Sequence, residues 1–151
     1  MRQFETVEEA YNFCASEGDI IPLSEVDGDR IKANMRIAEE DLQSAQDAVV
    51  KKRWNSAYKL HYDVLHQLAE SFIHLDKIKA KTHLCLFAYL CVKHPELELN
   101  WDFFEKVRTK RNGINYYGTP VTEKDWKEVA PEFKLYISLF KQKTGEMLNK
   151  F

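Results

Sequence analysis

The stretch IKANMRIAEEDLQSAQDAVV (residues 31–50), followed after three basic residues by WNSAYKLHYDVLHQLAESFIHL (54–75), decides the fold. In the first part Ile31, Met35, Ala38, Leu42, Ala45 and Val49 recur in steps of four and three. Such steps keep them on one stripe of an α-helix and form the seam of a long helix packed near-parallel to another. In the second part Trp54, Tyr58, His61, Leu65, Leu68, Phe72 and Leu75 repeat the pattern. Lys51, Lys52 and Arg53 between them suit a helix C-terminus, where the backbone carbonyls carry partial negative charge. The break is short enough for one bent helix, but two antiparallel helices of about 20 residues suit a bundle better.

Working outward, the upstream segment holds a shorter helix. Thr6-Val7-Glu8-Glu9 has the form of a capping box, Val7, Ala10 and Cys14 share a side, and Gly18 can terminate the turn. Residues 18–29 read as a connector, with Asp29 as the cap of the long helix that follows. Downstream, Lys81 to Lys93 is apolar almost all round, through Leu84, Phe87, Ala88, Leu90 and Cys91, and predicts the most buried helix, stopped by His94-Pro95. A further helix spans about Leu99 to Tyr117, carries Trp101, Phe103, Phe104, Val107 and Ile114, and closes at Gly118-Thr119-Pro120. Thr122 with Asp125 opens the last region, where Val129, Phe133, Tyr136 and Phe140 step by four, three and four; Pro131 predicts a kink or a new helix start there. Five glycines and four prolines fall near the breaks in this periodicity, an all-helical signature. The expected fold class is therefore all-α: an antiparallel bundle of four to five helices with a short N-terminal helix. We expect one domain over residues 1–151, with the N-terminal helix and connector in 1–28 and the bundle in 29–151.

Composition narrows the function. The chain has 151 residues, 44% of them hydrophobic, which suffices for one ordinary core. Lys plus Arg number 22 against 24 for Asp plus Glu, and a formal charge of −2 argues against a protein that coats nucleic acid non-specifically. Any anion site must be local. Cys14, Cys85 and Cys91 are odd in number, show no C-x-x-C spacing and lie in apolar surroundings, so they read as buried thiols of a reducing cytosol. Met1-Arg2-Gln3-Phe4-Glu5 has no apolar signal core, and the longest apolar run, Leu84 to Val92, is less than half of a bilayer span. A cytoplasmic protein with no membrane association is expected. Walker-type glycine loops, G-x-S-x-G and the dinucleotide fingerprint are all missing, and neither His61 with His66 nor Cys85 with Cys91 has metal-ligand spacing. No metal and no cofactor are expected.

One segment carries chemistry. Arg108-Thr109-Lys110-Arg111-Asn112-Gly113-Ile114-Asn115-Tyr116-Tyr117-Gly118 packs two arginines, two asparagines and two tyrosines into about three helical turns. At about 100° per residue, Phe103, Phe104, Val107 and Ile114 share one arc, with Arg111 at its border and Arg108 and Asn115 just beyond. Arg111 and Asn115 lie one turn apart, as do Asn112 and Tyr116, giving two rows suited to an anion, a base edge or a partner carboxylate. Gly113 costs roughly 1 kcal/mol against alanine in a helix, which points either to close approach by a backbone or ligand or to tolerance at a solvated position. His61, His66 and His83 read as histidines satisfied locally, since nothing in the sequence brings them to Arg111.

The run Arg111-Asn112-Gly113-Ile114-Asn115-Tyr116-Tyr117-Gly118, late in a helical chain, resembles the R-N-x-x-x-H element of HEPN domains (higher eukaryotes and prokaryotes nucleotide-binding). Upstream, residues 54–66 and Lys81-Thr82-His83 are similar to that family's second-helix and following-turn patterns, so the resemblance covers about residues 30–145. It implies a bundle of four or five helices that dimerises so that the polar motifs face a shared cleft. It also implies a metal-independent ribonuclease, a toxin paired with a nucleotidyltransferase antitoxin, or a module that binds nucleotides or partners without cleavage. By position, Arg111 would contact the phosphate, Asn112 would orient it, and residue 116 would be the histidine that assists attack by the ribose hydroxyl. Residue 116 is Tyr here. With an ordinary pKa of about 10, a tyrosine positions but does not shuttle protons near neutrality.

The leading expectation is therefore a homodimer that binds a nucleotide, RNA or another anionic partner at Arg108, Arg111, Asn112, Asn115 and Tyr116 without efficient cleavage. An active endoribonuclease toxin, with Arg111, Asn112 and Tyr116 as its catalytic set, is the first alternative. A protein-interaction scaffold, whose arginines pair with acids across an interface, is the second.

Overall fold

The computed structural model describes residues 4–150, so Met1-Arg2-Gln3 lies outside the described residues. The helical periodicity resolves into α1 (Val7–Ser16), α2 (Gly28–Val50), α3 (Trp54–His74), α4 (His83–Lys93), α5 (Trp101–Tyr117) and α6 (Glu123–Leu148). The architecture is an all-helical bundle with four long helices and two short ones. The α2–α3 reversal is made where Lys52 takes a left-handed conformation (φ 57°) and the Arg53 N–H returns to the Ala48 carbonyl at 2.8 Å. That six-to-one closure stops α2 without a glycine. The chain then turns straight back as α3, which settles the sequence alternative in favour of two helices.

Helix α3 is the axis of the molecule and packs against α2, α4, α5 and α6. Its buried residues include Tyr58, Tyr62, Val64, Leu65, Leu68, Ala69, Phe72 and Ile73, which cover about half of its circumference. Helix α2 offers only small residues at full burial, Ala38, Ala45 and Ala48, besides Ile31, so its backbone lies close to α3. As its composition predicts, α4 is buried continuously from Cys85 to Leu90. Capping is local and legible: Thr6 accepts from the Glu9 N–H, and Thr122 and Asp125 form a reciprocal capping box.

Four expectations need correction. The cap of α2 is Asp27, whose carboxylate accepts from the Arg30 N–H at 3.1 Å, so the helix starts earlier than an Asp29 cap would allow. The connector and the turn after α3 are not plain coil, because Ile20–Pro22 (β1) pairs antiparallel with Ile78–Ala80 (β2). Of the two alternatives at Pro131, a kink or a new helix start, the new start is overturned, because α6 runs through it; Pro131 is solvent-exposed, so the carbonyl that loses its N–H partner faces water. Finally, Cys14 and Cys85 are not thiols. They form a disulfide across Cα atoms 5.7 Å apart, which ties α1 to α4. The remaining Cys91 is half-buried, and burial pushes its thiol up to about 12. Unfolded without reductant, the chain should present one titratable thiol, Cys91, and three after reduction. Three thiols before reduction would show that the α1–α4 tie is made by packing alone.

Candidate functional site

Three helices meet around the arginines of α5. From α3 come Tyr62, Asp63 and His66; from the first residue of α4 comes His83; from α5 come Glu105, Arg108 and Arg111. Spacing explains the α3 contribution: Tyr62 and His66 are one turn apart, and Asp63 stands beside Tyr62. Thr82 fixes His83 by capping α4, its hydroxyl accepting from the Cys85 N–H at 3.1 Å.

Arg111 is turned inward. Its guanidinium lies over the Tyr62 ring at 5.4 Å from the centroid, and Nη2 donates to Asp63 Oδ1 at 3.2 Å. Its Nε is buried and has no hydrogen-bond partner among the described residues. A guanidinium carries five N–H donors, so this residue retains donor capacity that one carboxylate oxygen does not use. Arg108, one turn earlier, is 7% exposed and grips Glu105 with two bonds, Nε to Oε1 at 3.1 Å and Nη2 to Oε2 at 2.9 Å. Each arginine thus has an acid beside it, but Arg108 is held in a fork and Arg111 by one bond.

Against these cations stand two imidazoles. The His66 and His83 rings lie 3.7 Å apart between centroids, and His83 Nδ1 shares a 2.9 Å hydrogen bond with the Tyr62 hydroxyl. His66 Nε2 is 3.5 Å from Glu70 Oε1. Burial, then its histidine neighbour and Arg111, lowers His66 to about 3. Burial, then Arg111 and Arg108, lowers His83 to about 4. Both rings are therefore neutral at pH 7, since a cation costs more beside other cations in a poorly hydrated place. The Tyr62 hydroxyl is pushed up by burial despite both arginines and stays protonated. Asp63 is also raised, because its burial outweighs the attraction of Arg111.

Of the residues singled out from sequence, Arg108 and Arg111 come together here, and Arg108 is buried more deeply than a position beyond the apolar arc suggests. Asn112 is half-buried on the same turn, and Asn115 is exposed. Tyr116 is 71% exposed near the end of α5 and makes no hydrogen bond among the described residues. Gly113 is not forced by crowding, since a Cβ there would meet Thr119 only at ordinary contact, 3.7 Å.

The expectation that all three histidines are satisfied locally holds for His61, and His66 has a local acid in Glu70 one turn on. His61 is buried against Trp126, ring centroids 4.5 Å apart, and its Nδ1–H donates to the Ala57 carbonyl at 2.7 Å. His66 and His83 join the arginine cluster. Tyr62, Asp63 and Glu105 were not singled out as site residues at all. The signal that finds the first two is the one-turn row Tyr62–His66 with Asp63 at its side, three chemical groups on a helix otherwise rich in core positions. Among the described residues no helix is long and apolar enough to cross a membrane. No family model matches the chain, and no curated protein matches it.

Proposed function

We propose that this chain is a HEPN-like helical protein that binds a nucleotide, RNA or another anionic partner at the groove of Arg108, Arg111, Asn112, Asn115 and Tyr116, without efficient cleavage. The reading is of a homodimer. One observation carries it: Arg111 is inward-facing, tied by a single bond to Asp63, and backed by two neutral imidazoles rather than by further acids. A phosphate oxygen entering there can displace or share the Asp63 contact and take up the unspent donors. The dimer finds support in the α5 terminus, where Tyr116 and Tyr117 are 71% and 81% exposed beside the motif, large surfaces for a second copy to cover.

The test is a titration of the intact chain with 5′-AMP and with a short single-stranded RNA, followed by calorimetry. Arg111→Ala should weaken binding roughly 10- to 100-fold, the worth of one or two charge-assisted hydrogen bonds, and should lower the salt dependence. Sedimentation run alongside should give twice the chain mass. A wild-type chain that binds neither ligand, or a variant that binds as well, leaves the scaffold reading in possession.

The histidines favour a second reading, the metal-independent endoribonuclease of a toxin pair whose antitoxin is a nucleotidyltransferase. With Tyr116 unable to shuttle protons, His83 or His66 would accept the proton of the ribose 2′-hydroxyl as its oxygen attacks phosphorus, once the bound phosphate offsets the arginine charge that, with burial, holds both rings neutral. The 5′-oxygen would leave with a proton from solvent, and Arg111 would offset the phosphorane charge. Expression with and without Arg111→Ala or His83→Gln, scored by growth and RNA integrity, separates the two readings. Toxicity that both substitutions abolish selects the nuclease.

A further inference from the structure

A second site lies on the other side of α5. Residues Asp102, Lys106, Thr109 and Gly113 form a stripe at helical spacing roughly opposite Arg111 on the wheel. Together with the first turns of α6 and the start of the chain, that stripe bounds a cleft of about 650 Å³. This is within the size range of small-molecule pockets, about 300–1,000 Å³.

Two observations say what it takes. The first is Tyr58, which borders the cleft although it is only 1% exposed. Its ring is fixed edge-on against Trp126 and Phe133, at 6.4 and 5.7 Å between centroids, and its hydroxyl makes no hydrogen bond among the described residues. That oxygen opens onto the cleft, so a polar group arriving there can pair with it in place of solvent. The charges of Asp125 and Glu128 act on this hydroxyl and, after burial, push it up, so it remains a neutral phenol. The second is the charge of the walls: the carboxylates of Glu5, Asp102, Glu105, Asp125 and Glu128 face only the ammonium groups of Lys106 and Lys110. Those two lysines are already paired, Lys106 with Glu128 at 3.5 Å and Lys110 with Asp125 at 3.3 Å, and Glu105 holds Arg108. Glu5 and Asp102 are left without an ion pair among the described residues, next to the indole of Trp101.

We propose that this cleft binds a primary ammonium compound with an aromatic or other flat apolar body. The ammonium group would donate to the Tyr58 oxygen and sit in the field of Asp102 and Glu5, while the body lies along Trp101. Phosphate and carboxylate ligands are repelled by the same walls, so the two faces of α5 select opposite charges, and this site is independent of the reading of Arg111.

Phenethylammonium is the probe, with 3-phenylpropionate as its counterpart of similar shape and opposite charge. Titrated into the intact chain and followed by amide NMR, phenethylammonium should cause saturable shifts at millimolar concentration in residues 58, 101–113 and 125–128, and 3-phenylpropionate should not. Tyr58→Phe, which deletes only an unpartnered oxygen, should weaken binding about tenfold. Thr109→Trp, placed on an exposed residue of the cleft wall, should abolish it by occupancy while the melting temperature stays close to that of the wild type. Arg111→Ala should leave it unchanged. Equal binding of the two probes, no saturation, or indifference to both Tyr58→Phe and Thr109→Trp would overturn the proposal.

Discussion

Lowering the pH from about 6.5 to about 4 should destabilise the folded chain through both members of the His66–His83 pair, by at most about 3 kcal/mol from His66 and by less from His83, which lies nearer solvent. Both imidazoles ordinarily titrate at 6.5 and are lowered in the fold, to about 3 and about 4. Between the two values the unfolded chain binds protons that the folded chain refuses, so stability falls as the solution is acidified and is fully present above about 6.5. His61 and His74, lowered chiefly by burial, act with the same sign. Asp63 and Glu70 are raised by burial, so they act oppositely, but in the carboxylate range near 4. The window from 6.5 to 5 therefore belongs to the histidines. Urea unfolding at half-unit steps should show the slope, and His66→Gln with His83→Gln should flatten it. A stability that is level from pH 7 to 5 would mean that the pair is hydrated and does not face the arginines. Phosphate bound at Arg111 should shrink the loss, because it offsets the charge that disfavours the imidazolium and so raises both folded-state values toward 6.5.

This cluster marks the boundary of what sequence can reveal. The seam from Ile31 to Val49 and its continuation from Trp54 to Phe72 are strong because helix period and burial agree over about ten turns. The strands escape notice because Ile20–Pro22 and Ile78–Ala80 are three residues each, too short for alternation to register, and their pairing spans the whole of α2 and α3. The same holds for Cys14 and Cys85, 71 residues apart, whose meeting depends on how α1 docks on α4. Pro131 misleads because a local rule assumes a carbonyl that needs its partner, and an exposed one does not. In the site, the polar density of 108–117 is legible, and so is the inward border position of Arg111. Its neighbours are not: Asp63 is 48 residues away, and whether His66 or His83 faces an arginine or the core depends on how α3, α4 and α5 cross.

Phe133→Ala should be the most damaging substitution in α6, costing about 3–5 kcal/mol. Phe133 is fully buried, and its ring meets Tyr58 and Phe103 edge-on at 5.7 and 5.3 Å, Trp126 stacked at 5.8 Å and His61 at 5.9 Å. Such a ring contributes apolar burial and oriented aromatic contacts together, and four rigid neighbours leave little room for the cavity to collapse. Against a total stability of about 5–15 kcal/mol, the variant would stand close to unfolding at 37 °C, with a melting temperature lower by roughly 10 °C or more. Phe133→Leu keeps most of the volume and should cost about 1.5 kcal/mol or a little more. The loss has a local consequence as well, because Phe133 is one of the two rings that hold Tyr58 edge-on. Phe133→Leu should therefore weaken phenethylammonium binding at the cleft while leaving 5′-AMP binding at Arg111 intact, since the ring stacked under Arg111 is that of Tyr62, packed against His83 and Phe87 instead. A drop below about 1 kcal/mol for Phe133→Ala would show that α6 is held to α3 by its remaining contacts, and that the aromatic layer is dispensable.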